Sequence, residues 1–413
     1  MKLGEVANDA AVPNGKPLDG VRVLALEQMQ SLPWATQLLA RLGAEVVKVE
    51  HPTAGDSGRG SLPAMADPEG RRVGATFLRN NLNKRSIGVD LKHPEGRQLV
   101  LDLAPRFDVV AENFKAASLD RLGLGWDDIS AVAPRTIYLS LSGFGATGSP
   151  YDRWPAYAPI AEAMSGIYEF KRQGDDPPVV APVGGLGDIG SALFAVVGVL
   201  AALRHRDATG RGQRIDVAML DAMVAIADIV PNFWSMGLRD GELGPLIMDG
   251  FRAADGWFIV QVGRENQFTK LVKAIGRPEW ATDERFADRQ GWIDHLDDVL
   301  RPAIEAWAST RTKVQACDEL AAVGVAAGPC STAEEVVADP HVAQRHMLVE
   351  VPRTDGVTQP VLVPGNPIKL SDVAEGPERR VPWLGEHTAD VLAAELDYDE
   401  ARVAALREAG AIG

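Results

Sequence analysis

At 413 residues with 46% hydrophobic content, the chain is too long for one core and reads as a globular protein of two domains, or of one large domain with an excursion. A net charge of −15 with no basic stripe argues against a nucleic-acid partner, and two cysteines, Cys317 and Cys330, at no metal-ligand spacing with the seven histidines, exclude a disulfide framework and leave no metal site. No run of eighteen apolar residues and no signal-like leader occur, so the expected location is cytoplasmic with no membrane partner.

The first elements alternate. Residues 21–26 read as an apolar strand, Pro33 opens a helix through 42, and 44–50 is a second strand, which together make a βαβ unit with a right-handed crossover. The turn between them, residues 27–32, lacks G-x-G-x-x-G, so a nicotinamide or flavin dinucleotide is disfavoured. Helix 94–103, strand 108–112, helix 126–132 and strand 136–141 repeat the pattern, and the glycine-rich 143–150 follows as a loop. A helix after Asp188, a strand over 214–219 and a helix over 220–229 continue it. Such alternation predicts an α/β fold: a Rossmann-like domain with a parallel sheet covered on both faces and ligands at the carboxyl ends of its strands.

After Pro231 the texture changes. Residues 249–262 read as a hairpin turning at Ala254-Asp255-Gly256, and helices are expected over 267–275, 297–306 and 313–322. These predict a smaller α+β domain over 235–330. Strands 349–351 and 361–363 then bracket Asp355-Gly356, and helices over 388–396 and 400–408 close the chain. The expected division is a large domain over 17–230, the small domain over 235–330, and a segment over 345–413 that returns to the large domain.

The chemistry concentrates at Gly184-Gly185-Leu186-Gly187-Asp188, where glycines precede a lone carboxylate and an apolar helical run. Two readings of Asp188 compete on local pattern. As an N-cap its oxygen would accept the free amides of the first turn. As a nucleophile it would be held ionised by the positive end of the helix and reached through a loop without side chains.

Several stretches in order resemble the class III CoA-transferase (CaiB/BaiF) family, which includes formyl-CoA transferase, carnitine CoA-transferase and α-methylacyl-CoA racemase. They are Pro17-Leu18-Asp19-Gly20-Val21-Arg22-Val23-Leu24, Leu42-Gly43-Ala44-Glu45-Val46-Val47-Lys48-Val49-Glu50, Asn83-Lys84-Arg85-Ser86-Ile87, Glu112-Asn113-Phe114, Leu119-Asp120-Arg121-Leu122-Gly123, Gly210-Arg211-Gly212-Gln213 and Leu384-Gly385-Glu386-His387-Thr388. The resemblance runs from about residue 17 to the C-terminus.

What the resemblance implies is an enzyme that transfers CoA from an acyl-CoA donor to a free carboxylic acid, with Asp188 forming an anhydride and then an aspartyl-CoA thioester. Gln30 matches a glutamine placed near the reacting carbonyl. The residues matching the family's CoA-binding surface are Lys84, Arg85, Arg121, His51, Arg59, Gln28 and Met29, with arginine suited to phosphate through its planar fork. Gln28 stands for a histidine of formyl-CoA transferase, Ser142 for a lysine and His51 for an arginine, which bears on the substrate rather than the reaction. The implied cofactor state is none bound permanently, with the CoA thioester as substrate and no metal. The implied assembly is an interlocked homodimer.

The sequence leaves two alternatives open. One is an α-methylacyl-CoA racemase, against which Tyr157 stands where the racemase has a histidine base, a phenol being a far weaker base than imidazole near neutral pH. The other is a CoA-binding protein without catalysis.

Overall fold

The computed structural model describes residues 1–413 apart from 152–153, 171, 173–174, 181–184 and 239–243, so the reading of Gly184 lies outside the described residues. The chain divides into two compact units, one of residues 1–237 with 343–413 and one of residues 238–342.

In the larger unit the strands are β1 (Arg22–Leu26), β2 (Glu45–Glu50), β3 (Ala64–Ala66), β4 (Arg72–Gly74), β5 (Arg85–Gly88), β6 (Val109–Glu112), β7 (Ile137–Ser142) and β8 (Arg214–Ala218). β3 and β4 make a small hairpin, and the other strands form one parallel sheet in the order β5-β2-β1-β6-β7-β8. This is the doubly wound order, which reverses direction between β1 and β6 and leaves a crevice beyond their carboxyl ends. The helices are α1 (Ser31–Arg41), α2 (Ala75–Asn80), α3 (Pro94–Leu103), α4 (Trp126–Val132), α5 (Ala158–Met164), α6 (Leu186–Thr209), α7 (Met219–Ile226) and α8 (Ile229–Ser235).

Side chains two apart on a strand share a face, and β1 shows the consequence. Val23 and Ala25 pack with Leu32, Leu38 and Leu39 of α1 and with Ala192, Ala195, Val196 and Val199 of α6. Leu24 and Leu26 face the opposite core, shared with Leu99, Val100 and Leu103 of α3. Val391 and Leu392 of the helix Thr388–Leu396 and Val403 and Leu406 of the helix Glu400–Glu408 join that second core. Each valine or leucine among these, fully buried, contributes roughly 1.5–3 kcal/mol, so the sheet is held from both faces.

By length and composition α6 could cross a membrane, with half of its most apolar window buried against the protein. It ends at Gly210 in the left-handed conformation, φ +74°, a glycine C-cap.

The smaller unit is built on a three-stranded antiparallel sheet of β9 (Ile247–Ala253), β10 (Gly256–Val262) and β11 (Ala326–Pro329) in the order β11-β10-β9. Its core holds Phe251, Phe258, Phe268 and Trp292, the last two stacked with ring centroids 4.6 Å apart. The helix expected over 297–306 is instead a π turn, Leu296–Leu300, followed by an α-helix, Arg301–Ala308. Pro302 near that junction offers no N–H to an α-helical ladder. In the larger unit, β12 (Leu348–Val351) and β13 (Val361–Pro364) pair as the second hairpin.

Candidate active site

The loop after β1 lines the crevice where the strand order reverses, and its backbone is pinned at Gln28 and Met29. Gln28 N–H donates to Asn113 Oδ1 at 3.0 Å, and Asn113 Nδ2 donates back to the Gln28 carbonyl at 2.9 Å. Met29 takes the left-handed conformation, φ +65°, a strain on the order of 1 kcal/mol. Its N–H is received by Asp56 Oδ1 at 2.9 Å.

Below this loop lies a buried charge network. Lys48 Nζ is 2.8 Å from Asp56 Oδ2 and donates to the Glu27 carbonyl at 3.0 Å. Lys84 Nζ meets Glu27 Oε1 at 2.6 Å and the Pro33 carbonyl at 2.9 Å, while Arg59 forks onto Glu50 at 2.6 and 2.7 Å. Three carboxylates, Glu27, Glu50 and Asp56, face three cations, Lys48, Lys84 and Arg59, so the cluster is balanced in charge. Burial pushes the Lys84 ammonium down to about 8, against the charge of Glu27.

This network corrects the expectation that Lys84 and Arg59 face CoA phosphates. The Lys84 side chain has no exposed surface, and the Arg59 guanidinium also donates to the Pro382 carbonyl, so both charges are taken up inside the fold. Arg85 pairs with Glu45 at 2.9 Å. His51 is exposed and its Nδ1 accepts the amides of Thr53 and Ala54 at 3.3 and 3.2 Å, closing a local turn. Arg121 is exposed, donates to Ser118 Oγ at 3.1 Å and has no carboxylate partner among the described residues. Gln28, Met29 and Gln30 line the crevice together with Asp188.

Asp188 is the third residue of α6, not its N-cap. The cap position is Gly185, φ +77°, and no side chain caps the helix, which corrects the capping reading. Gly185 is required twice over: its backbone is left-handed, and a side chain there would meet Asp188 Oδ2 at 2.6 Å and Gln30 Nε2 at 2.8 Å. The nucleophile candidate and the amide nitrogen therefore converge on one spot.

Arg79 of α2 fixes the orientation of that amide. Its Nη2 donates to Gln30 Oε1 at 2.5 Å, and since only the oxygen of an amide accepts, the NH2 end is turned toward Asp188. On the other side Glu162 of α5 is buried, its Oε1 accepting the Gly187 N–H at 2.9 Å and its Oε2 accepting the Tyr168 hydroxyl. Burial first, and the Glu162 charge second, push the Asp188 carboxyl up to about 6, with Arg79 pulling it down. It stays predominantly ionised at neutral pH while being more basic than a free aspartate.

The cavity has a volume of about 340 Å³. Its walls include Gln28, Ser31, Asn113, Lys115, Ser142 and Tyr157, and its aromatic side is Phe144 with Trp154, whose ring centroids are 6.3 Å apart. A side chain on Gly143 would come within 1.9 Å of Ala156 Cβ, so glycine lets the loop after β7 lie against the wall at 155–157. No cluster of three or more metal-ligating side chains exists among the described residues. The arrangement offers an accessible carboxylate beside a fixed amide donor, which suits covalent attack on a carbonyl and stabilisation of the charge that develops on its oxygen. Sequence reasoning did not find Arg79 or Glu162, which lie 49 and 25 residues from the groups they hold.

Known proteins resemble the chain over most of its length. The family model of CoA-transferase family III matches residues 18–388. Succinyl-CoA:mesaconate CoA-transferase of Haloarcula hispanica is 35% identical, over 91% of this chain and 95% of that relative. Succinate--glutarate CoA-transferase of Agrobacterium fabrum is 37% identical over 94% and 98%. Formyl-CoA:oxalate CoA-transferase of Rhodopseudomonas palustris is 33% identical over 96% and 97%. A crystal structure of a CAIB/BAIF family protein from Brucella suis superposes with a TM-score of 0.81 at 35% identity, covering 92% of this chain and all of that one.

Proposed function

The chain belongs to CoA-transferase family III, and from that premise we propose that it moves CoA from an acyl-CoA to a free dicarboxylic acid through covalent intermediates on Asp188. Asp188 Oδ attacks the thioester carbonyl carbon, a C–O bond forms, the C–S bond breaks, and CoA leaves as thiolate. No proton has to be removed from the nucleophile. The thiolate then attacks the aspartyl carbonyl of the mixed anhydride, giving an aspartyl-CoA thioester and releasing the donor acid. The acceptor carboxylate attacks this thioester, and the freed thiolate takes the acceptor's acyl carbon, which restores Asp188. The Gln30 amide donates to the oxygen on which charge accumulates.

One observation carries this reading: the Asp188 carboxylate borders an open cavity at the same spot as the oriented Gln30 amide. The CoA thioester is substrate rather than resident cofactor. Arg121 and Lys115 are the cations proposed for its phosphates: Lys115 lines the cavity, and Arg121 is exposed further along the same segment after β6. A dicarboxylic acceptor is supported by the relatives, whose names pair succinate with glutarate and formyl-CoA with oxalate. A homodimer is supported by the exposed apolar face of Leu193, Phe194 and Val197 on α6, and the proposed location is the cytoplasm.

The test is a screen of acyl-CoA donors against free acids, read by mass spectrometry of the CoA esters. Exchange with ping-pong kinetics, lost in Asp188→Ala and Asp188→Asn, supports transfer. Deuterium wash-in at the α-carbon without exchange would replace it by racemisation, and CoA binding without either reaction would leave a binding protein.

A further inference from the structure

Deepening that reading, we infer that Glu162 is a positioning residue for Asp188: it pins the turn that presents the nucleophile and sets a negative charge behind the reacting carboxylate. The inference rests on the assignment of Asp188 as the acylated group.

The geometry argues for a specific device. Glu162 is only 2% exposed, and a buried carboxylate needs partners of its own. It has them in the Gly187 N–H at 2.9 Å and the Tyr168 hydroxyl, both neutral donors, with no lysine or arginine in ion-pair contact among the described residues. A buried ion pair would cancel its field, whereas neutral donors hold the charge in place and leave the field to act on its neighbour. That neighbour is Asp188, one residue beyond the amide that Glu162 holds.

The other charged groups around Asp188 do not duplicate this effect. Arg79 of α2 acts with the opposite sign from the Gln30 side. Asp221 of α7 is exposed, and Asp216 of β8 accepts the Ala146 amide and the Thr147 hydroxyl. The nucleophile is thus bracketed by Glu162, which makes it more electron-rich, and Arg79, which restrains that effect. A more basic carboxylate is a better nucleophile toward a thioester, and it remains ionised at neutral pH.

Glu162→Gln keeps an oxygen for the Gly187 amide and removes the charge, and Glu162→Ala is a second charge-free variant if the first does not fold. The titration of Asp188 is read without turnover, by the pH dependence of its labelling with a water-soluble carbodiimide and an amine, followed by peptide mass spectrometry. The expected result is a labelling midpoint of about 6 in the wild type. It should fall by about one pH unit in Glu162→Gln and return toward the wild-type value in Glu162→Asp, with the acid limb of kcat/KM moving in parallel. An unchanged midpoint and an unchanged acid limb in the charge-free variants would overturn the inference. Absence of acylation at Asp188 would instead overturn the transfer mechanism and leave the labelling midpoints standing, so the two failures are distinct.

Discussion

Replacing Asp188 by Asn is expected to make the protein more stable while abolishing turnover. The carboxyl moves from an ordinary 3.8 to about 6 in the native site, mainly through burial and then through Glu162. The native state therefore binds the proton more tightly than the unfolded chain does. The resulting destabilisation is absent below about pH 4, grows as the pH rises to 6 and is complete above it. At 1.36 kcal/mol per pH unit the shift corresponds to about 3 kcal/mol, and water reaching the carboxylate through the cavity reduces this to on the order of 1–3 kcal/mol. Asparagine carries no charge to desolvate, so urea unfolding followed by tryptophan fluorescence should show a gain of that size at pH 7.5. The gain should vanish at pH 4. A variant no more stable than wild type at pH 7.5, or a difference independent of pH, would refute the claim that the site holds Asp188 ionised at a cost.

Other substitutions separate structural cations from binding ones. Lys84→Met leaves the buried network one positive charge short, with Glu27 keeping Lys48, so unfolding should show a loss of about 3–5 kcal/mol, and the KM for acyl-CoA in whatever protein folds should be unaltered. Arg121→Ala should raise that KM about tenfold with kcat unchanged, the effect shrinking as salt is added, because the side chain is exposed. Gln30→Ala should lower kcat by about 10²–10³-fold with a smaller change in KM, the size seen when one donor to a developing oxyanion is removed. Arg79→Ala should reproduce part of that loss by freeing the amide, which one hydrogen bond from Arg79 Nη2 holds.

The parts legible in the sequence are those written by local periodicity. The alternation in β1 separates Val23 and Ala25 from Leu24 and Leu26, and the structure gives each pair its own core. The glycine-rich approach to Asp188 pointed to a carboxylate that the structure places in the cavity wall. The helix start was misplaced because a glycine in the left-handed region, Gly185, can itself occupy the cap position, which moves Asp188 into the first turn. Lys84 and Arg59 looked like surface cations because a charged residue carries no local mark of burial. Only the fold brings Glu27 and Glu50 against them, from 57 and 9 residues away. Arg79 and Glu162 were silent for the same reason, each acting on a group far along the chain.

The central claim is a covalent bond to one carboxylate. Incubating the enzyme with succinyl-CoA, quenching with hydroxylamine and mapping peptides by mass spectrometry tests it directly. The account predicts a hydroxamate on Asp188 in the wild type and none in Asp188→Asn. A turning-over enzyme that carries no adduct at Asp188, or carries it on another residue, would contradict it.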